Sequence, residues 1–277
     1  MTLLVGILCD DGVVLGADSA ETTVHGVSFS TVENPTARKI RVIGSAVITA
    51  TTGAVGLGQR FNELMNALHA NGKLSGNKVM DQATDISNAT LQNFSRTMSV
   101  LQQQPERGWG LGALVAMPLN DRAELFEFDP VQFHPERRGD TDERGRDCTG
   151  RIVSMGSGQV MADPFLGFVR RVFCWGTENP KLSDAKLAVA WTLRQVIDLN
   201  TGGIGGAPQM ASLEKISGHW FARELGTDEF IEQVNELEQH IGKYREDLLE
   251  KLTKPPVTSV HTPPTLDSSP DQEGEAR

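Results

Sequence analysis

The second residue is a threonine, and its position gives it two chemical groups in one place. Met1 precedes Thr2, and an initiator methionine is normally trimmed when the next residue is small. Trimming leaves a residue with both a hydroxyl and a free α-amine. An unperturbed α-amine titrates at about 7.7–8, so it is partly neutral near pH 7. It can take the proton from its own hydroxyl, which makes a single residue both nucleophile and base. A carboxylate, Asp18, closes the apolar segment Val13-Val14-Leu15-Gly16-Ala17 a short way downstream. Most chains that begin Met-Thr have an inert terminus, so the meaning of Thr2 depends on what the fold places beside it.

The elements that must do this placing begin at once. Leu3–Cys9 and Val13–Ala17 read as strands, with Asp11-Gly12 as the hairpin signal between them. Ala46–Thr51 reads as a third strand. The polar run Glu21–Arg38, with Gly26 and Asn34-Pro35, predicts a loop or irregular ribbon. After Gly53 the period changes. Phe61, Leu64, Met65 and Leu68 fall on one helical face, which Asn71-Gly72 ends. Val79, Ala83, Ile86, Leu91, Phe94, Met98 and Leu101 mark a second helix ending before Pro105. Strands return at Leu111–Met117 and Ala123–Phe128, with a turn at Asn120-Asp121. The charged run from Glu136 to Thr149 predicts a solvated loop. Two more helices follow, Gln159–Phe173 and Asp184–Leu199, the second with Ser183 as its expected N-cap. The order strands, two helices, strands, two helices predicts an α+β fold. Two antiparallel sheets covered by helices, a four-layer α/β/β/α sandwich, satisfies it.

Composition narrows the class. The chain has 277 residues, 39% apolar and 22% charged, which fits a soluble globular protein. A formal net charge of −10 argues against nucleic-acid and anionic-membrane partners. Cys9, Cys148 and Cys174 give no disulfide framework, and neither they nor the six histidines fall at metal-ligand spacing. No cofactor or metal is expected. No signal segment and no membrane-length apolar run is visible, so a cytoplasmic location is the expectation.

The C-terminal part differs in kind. Phe230, Val234, Leu237, Ile241, Tyr244, Leu248 and Leu252 recur at spacings of four and three among Glu and Lys, a heptad-like seam. Asp228 and Glu229 suit its first turn. Either docking on its own domain or subunit contact would use such a seam. From Lys254-Pro255-Pro256 to Arg277 the composition predicts disorder. The expected organisation is a main domain over residues 2–216, a helical extension over 217–253 and a tail over 254–277.

Several short motifs in register resemble the proteasome β-subunit and HslV superfamily of N-terminal-nucleophile hydrolases. Thr2 with Val5-Gly6-Ile7, Asp11-Gly12-Val13-Val14-Leu15 and Ala17-Asp18-Ser19 resemble the start of a mature β-subunit. Arg38-Lys39-Ile40 is similar to the family's Lys-Lys-hydrophobic step. Thr52-Gly53-Ala54-Val55-Gly56 is similar to its oxyanion turn. Gly156-Ser157-Gly158 matches its Gly-Ser-Gly, and Asp198-Leu199-Asn200-Thr201-Gly202-Gly203 resembles Asp-x-x-Ser-Gly-Gly with Thr in the Ser position. Among these relatives the chain looks most like a bacterial proteasome homologue with a C-terminal extension. The Asp18–Lys39 segment is longer than the family's.

The resemblance implies a role for each residue. Thr2 Oγ attacks the scissile carbonyl. Lys39 favours the alkoxide and lowers the pKa of the amine, and Asp18 pairs with Lys39. The Gly53 N–H faces the oxyanion, where one such donor typically supplies about 3 kcal/mol. Ser157, Asp198 and Thr201 hold the amine and its proton relay. Taken singly, each has a plainer reading: Lys39 a solvated lysine, Asp18 a turn residue, Gly53 a strand-to-helix turn, Ser157 the N-cap of the Gln159 helix, Thr201 a loop hydroxyl. Ala37, Thr51 and Val55 would line the first specificity pocket, which suits a medium apolar side chain.

The implied activity is that of a self-compartmentalising threonine endopeptidase acting on polypeptides. Its assembly would be stacked homo-oligomeric rings of roughly twelve or fourteen subunits. An ATP-dependent unfoldase is a possible partner, since Gly202-Gly203-Ile204-Gly205-Gly206 lacks the Lys-Ser/Thr ending of a P-loop. The rivals are a small-amide amidase of the same nucleophile class and a catalytically silent ring-forming scaffold.

Overall fold

A computed structural model describes residues 1–25, 28–33, 37–76, 78–101, 110–139, 148–175, 179–199, 203–226 and 228–253. Its compact body runs from Met1 to Asn235, and a second unit begins at Glu236.

Two central strands set the frame. Strands β1 (Leu4–Leu8) and β2 (Gly12–Ala17) are buried at every position, so neither alternates. Such continuous burial needs cover on both faces of the sheet, and the structure supplies it. The Asp11-Gly12 turn closes with the Cys9 N–H donating to the Gly12 carbonyl at 2.8 Å. A polar ribbon follows, β3 (Ala20–His25) against β4 (Ser28–Glu33). Thus the segment read as loop or ribbon is an ordered hairpin over much of its length.

The second sheet begins with β5 (Ile40–Ile43) and β6 (Val47–Gly53). Helices α1 (Val55–Ala70) and α2 (Val79–Leu101) come next. Strands β7 (Leu111–Leu119), β8 (Arg122–Phe128) and β9 (Pro135–Arg138) complete it, in the order β5-β6-β7-β8-β9. The expected loop from Glu136 therefore starts as strand; residues 140–147 lie outside the described residues.

A 3-10 turn at Cys148–Arg151 leads to β10 (Ile152–Met155), then α3 (Gln159–Val172) and α4 (Leu182–Leu199). The hairpin β11 (Gln209–Ile216) and β12 (His219–Leu225) returns to the first sheet, whose order is β10-β1-β2-β11-β12. Both sheets are antiparallel throughout.

The inner faces of the two sheets meet over Leu4, Leu15, Ile40, Ile48, Leu114 and Leu213, all buried. Helices α1 and α2 cover the outer face of the second sheet through Phe61, Met65, Ile86 and Phe94, which pack with Phe128 and Phe133. Burying each such side chain contributes about 1.5–3 kcal/mol. On the opposite side α4 lies so close to β2 that a Cβ at Gly16 would sit 2.3 Å from Val189. The result is the four-layer α/β/β/α sandwich expected of the sequence.

Three local readings need correction. Ser183 is not an N-cap but lies inside the first turn of α4, its hydroxyl donating to Asp184. The Leu182 N–H is capped instead by Asp11 Oδ1 from the β1–β2 turn, at 3.0 Å. Ser157 does not cap α3 with its side chain either. Finally, residue 216 is not a domain edge. It falls in the middle of the β11–β12 hairpin, where Ile216 pairs with His219 and the ladder continues to Met210 opposite Leu225.

Helix α5 (Asp228–Thr253) begins where the acidic first turn predicted. Its first seam residues, Phe230 and Val234, are buried, whereas Ile241 and Tyr244 are exposed. The tail, 254–277, lies outside the described residues. Among the described residues no helix is long and apolar enough to cross a membrane.

Candidate active site

The registers of two strand pairs converge on Thr2. Leu4 pairs with Ala17 of β2 and with Met155 of β10. Extending both ladders outward sets Leu3 opposite Asp18 and Thr2 opposite Ser157. The hydrogen bonds follow suit. The Asp18 N–H donates to the Leu3 carbonyl at 3.3 Å, the Thr2 N–H to Ser157 Oγ at 3.0 Å, and the Gly158 N–H to the Thr2 carbonyl at 3.1 Å. This explains why Ser157 does not cap α3: its hydroxyl is engaged with Thr2.

Asp18 is fully buried, and three donors converge on it. Oδ1 accepts from the Leu3 N–H at 2.9 Å and from Lys39 Nζ at 2.6 Å, while Oδ2 accepts from the Gly205 N–H at 3.3 Å. A carboxylate taken out of water needs such partners. Lys39 arrives from the other sheet, just before β5. Its side chain is 11% exposed. Burial holds its ammonium below the ordinary lysine value, and the charges of Asp18 and Glu21 partly oppose that.

One oxygen links nucleophile and cation. The Met1 carbonyl accepts from Thr2 Oγ at 2.8 Å and from Lys39 Nζ at 3.5 Å. The hydroxyl and the ammonium thus share an acceptor. The α-amine of Met1 is itself held below its usual value, first by burial and then by the charge of Lys39.

Gln209, the first residue of β11, is a positioning residue that the sequence did not reveal. Its Oε1 accepts the Lys39 N–H at 3.0 Å, and its Nε2 donates to the Ala37 carbonyl. The side chain ties the Lys39 segment to the neighbouring sheet. A lone Gln at a strand start carries no signal of that role.

Gly53 ends β6 at φ +103°, and a Cβ there would lie 1.8 Å from the Gly110 carbonyl oxygen. Only glycine makes this turn without displacing backbone. Thr2, Lys39 and Gly53 line one cavity of about 600 Å³, which extends along β5 and under α1. Ala37, Thr51 and Val55 line it as expected, but so do Arg41, Gln59, Asn62, Glu63 and Asn66. Polar and charged residues thus line the cavity beside the small uncharged ones expected.

The structure does not bring Asp198 into this cluster. Asp198 lies in the last turn of α4, its side chain 61% exposed and paired with Arg194 on the same helix at 3.6 Å. Thr201 lies outside the described residues. Among the described residues no group of three or more His, Cys, Asp or Glu gathers as a metal site.

The arrangement offers a hydroxyl, a buried cation paired to a carboxylate, a glycine-dependent turn and an open cleft. Such a set can run acyl transfer once the Thr2 nitrogen is an amine. Among known families, the one described as Proteasome subunit matches residues 2–132. No curated protein matches the chain.

Proposed function

Since residues 2–132 of the chain belong to the proteasome subunit family, we propose that it is a threonine peptidase whose nucleophile is Thr2 after loss of Met1. The fold is that of an N-terminal-nucleophile hydrolase. The observation that carries the finer reading is the shared acceptor: Thr2 Oγ and Lys39 Nζ both reach the Met1 carbonyl oxygen, with Asp18 behind the lysine.

Removing Met1 frees the Thr2 nitrogen as an amine and takes away that carbonyl. Thr2 Oγ then attacks the scissile carbonyl carbon as its proton passes to the α-amine. Lys39 stabilises the oxygen that loses the proton. The tetrahedral intermediate collapses, the carbon–nitrogen bond breaks, and the leaving amine takes the proton from the ammonium. The ester on Thr2 is cleaved by water, whose proton passes to the amine and back to Oγ. Gly53 supplies the turn at which the oxyanion is received, and Ser157 orients the Thr2 nitrogen.

The assembly proposed is a homo-oligomeric double ring enclosing these sites, located in the cytoplasm and served by a separate unfoldase. Family membership supports the rings, because proteasome subunits assemble in stacked rings.

The test is direct. Intact mass confirms loss of Met1, and cleavage of casein or peptide is compared between the native chain and Thr2→Ala. Loss of cleavage, with a covalent epoxyketone or β-lactone adduct on native Thr2, is expected. Unchanged turnover in Thr2→Ala overturns the mechanism. Light-scattering mass tests the ring, where a monomer or dimer points to a small-amide amidase.

A further inference from the structure

The cavity beside Thr2 has a corner built to read a negative charge. Arg41, two residues past Lys39, lies within β5 on the face it shares with Ile43, the face packed with Phe61 and Met65 of α1. That face looks toward α1. Directly across the ladder from Arg41 is Thr49 of β6, and opposed side chains on one face lie about 5 Å apart. Thr49 is fully buried, and its hydroxyl donates to Asn62 Oδ1 of α1 at 2.6 Å. This bond fixes the Asn62 carboxamide with its oxygen occupied and its NH₂ group left to donate. Arg41 and Asn62 both line the cavity.

Charge decides which ligand this corner takes. Three cations line the cavity, and two are neutralised. Arg38 pairs with Glu224 at 2.9 Å and Lys39 with Asp18 at 2.6 Å. Arg41 has no carboxylate within ion-pair distance among the described residues. Neither acidic lining residue, Glu21 or Glu63, forms an ion pair with Arg41 among the described residues. Glu21 acts on Lys39, raising its pKa. Glu63 stands on the ridge of α1, where it also lines a second cleft with Arg60 and Asn93. The corner therefore presents a guanidinium and a carboxamide NH₂, both donors. A planar acceptor with a negative charge satisfies both, and a carboxylate has that geometry.

We infer that the cavity binds the side chain on the acyl side of the scissile bond and prefers an acidic one, glutamate before aspartate, with Arg41 as the specificity-determining residue and Asn62 as its fixed companion. This rests on the proposed peptidase reading, since it takes Thr2 as the point of cleavage. It replaces the expectation of a medium apolar side chain drawn from Ala37, Thr51 and Val55. Those residues and Arg41 line the same cavity, with Arg41 two residues past Lys39 along the chain. Glutamate is favoured because its extra methylene carries the carboxylate farther from the backbone toward Arg41.

The experiment uses the trimmed full-length protein and four fluorogenic peptides identical except for Glu, Asp, Leu or Arg before the reporter group. The expected kcat/KM is highest for Glu, by about tenfold or more over Leu, the range in which one hydrogen bond to a charged group operates. In Arg41→Glu the order should invert, with the Arg peptide overtaking the Glu peptide. Asn62→Ala should lower the Glu rate while barely changing the Leu rate. An epoxyketone with Leu beside its warhead reports independently on Thr2. If it labels Thr2 but Leu or Arg peptides lead in the native protein, or Arg41→Glu leaves the order unchanged, the specificity inference falls and the peptidase reading stands. If Thr2 takes no label and no peptide is cut, the peptidase reading falls and takes this inference with it.

Discussion

Two lysine–carboxylate pairs of similar burial sit in this molecule, and only one is a candidate for chemistry. Lys39 meets Asp18 at 2.6 Å, with side chains 11% and 0% exposed. Lys186 meets Glu214 at 3.1 Å, with side chains 13% and 17% exposed. Even a hydroxyl is present at the second, since Ser212 Oγ donates to Glu214 at 3.4 Å. The difference lies in what each carboxylate leaves over. Glu214 takes a second cation, Arg223 at 2.7 Å, so its surroundings are saturated with opposite charge. Hydrogen bonding to Arg223 and Lys186 outweighs burial and holds its carboxyl below the usual range. Asp18 spends its other contacts on backbone N–H groups, so Lys39 is its one cation, and Lys39 lines the cleft beside Thr2. An ion pair becomes a site when its cation keeps something to give.

The comparison breaks most sharply at the hydroxyls. Thr2→Ala should remove peptide cleavage by at least about a thousandfold, whereas Ser212→Ala should leave it within a factor of about two, both read as initial rates. The lysines come next. Lys39→Ala should cost about a hundredfold or more in kcat with little change in KM, because its charge matters most as the proton leaves Oγ. Lys186→Ala should keep full turnover and lower stability by about 1 kcal/mol in urea, since Glu214 retains Arg223. Equal losses in the two lysine variants would erase the distinction.

A smaller effect sharpens it. The Thr2 amine bared by trimming meets the same lysine charge that, after burial, depresses the Met1 amine of the untrimmed chain. The base form therefore predominates at lower pH than for an ordinary α-amine. The acidic limb of kcat/KM should turn below about 7.7, with activity rising as pH increases through it. In Lys39→Ala the residual activity should show that limb moved upward. A limb that does not move means the amine does not feel Lys39. Gly53→Ala tests the oxyanion turn separately: it should destabilise the fold by about 1–3 kcal/mol, measured by denaturant midpoint, besides slowing cleavage.

Much of the frame was legible because it rests on short-range rules. Asp11-Gly12 announces its turn, and the helical periods at Phe61–Leu68 and Phe230–Leu248 find their helices. What stayed hidden depends on contacts across long stretches of chain. Asp11 caps a helix 171 residues away, so local capping rules pointed to Ser183 instead. The strands β9 and β10 are short, and β12 is half exposed, so none shows a clear period. At the site, Thr2, Asp18, Lys39, Gly53 and Ser157 were found through ordered motifs. Gln209, Arg41 and Asn62 escaped because each gains its role only from a neighbour on another strand or helix. The motif containing Asp198 led to a residue that the structure ties to Arg194 on its own helix.

The bond between Met1 and Thr2 has a practical bearing on enzymology. While it persists, the Thr2 nitrogen is an amide, and the carbonyl before it occupies both Thr2 Oγ and Lys39. A preparation trimmed only in part by the host's aminopeptidase would then turn over at the trimmed share of its full rate, with unaltered KM. Titrating reactive termini with a covalent probe before any rate is normalised to protein mass would separate slow catalysts from unripe ones.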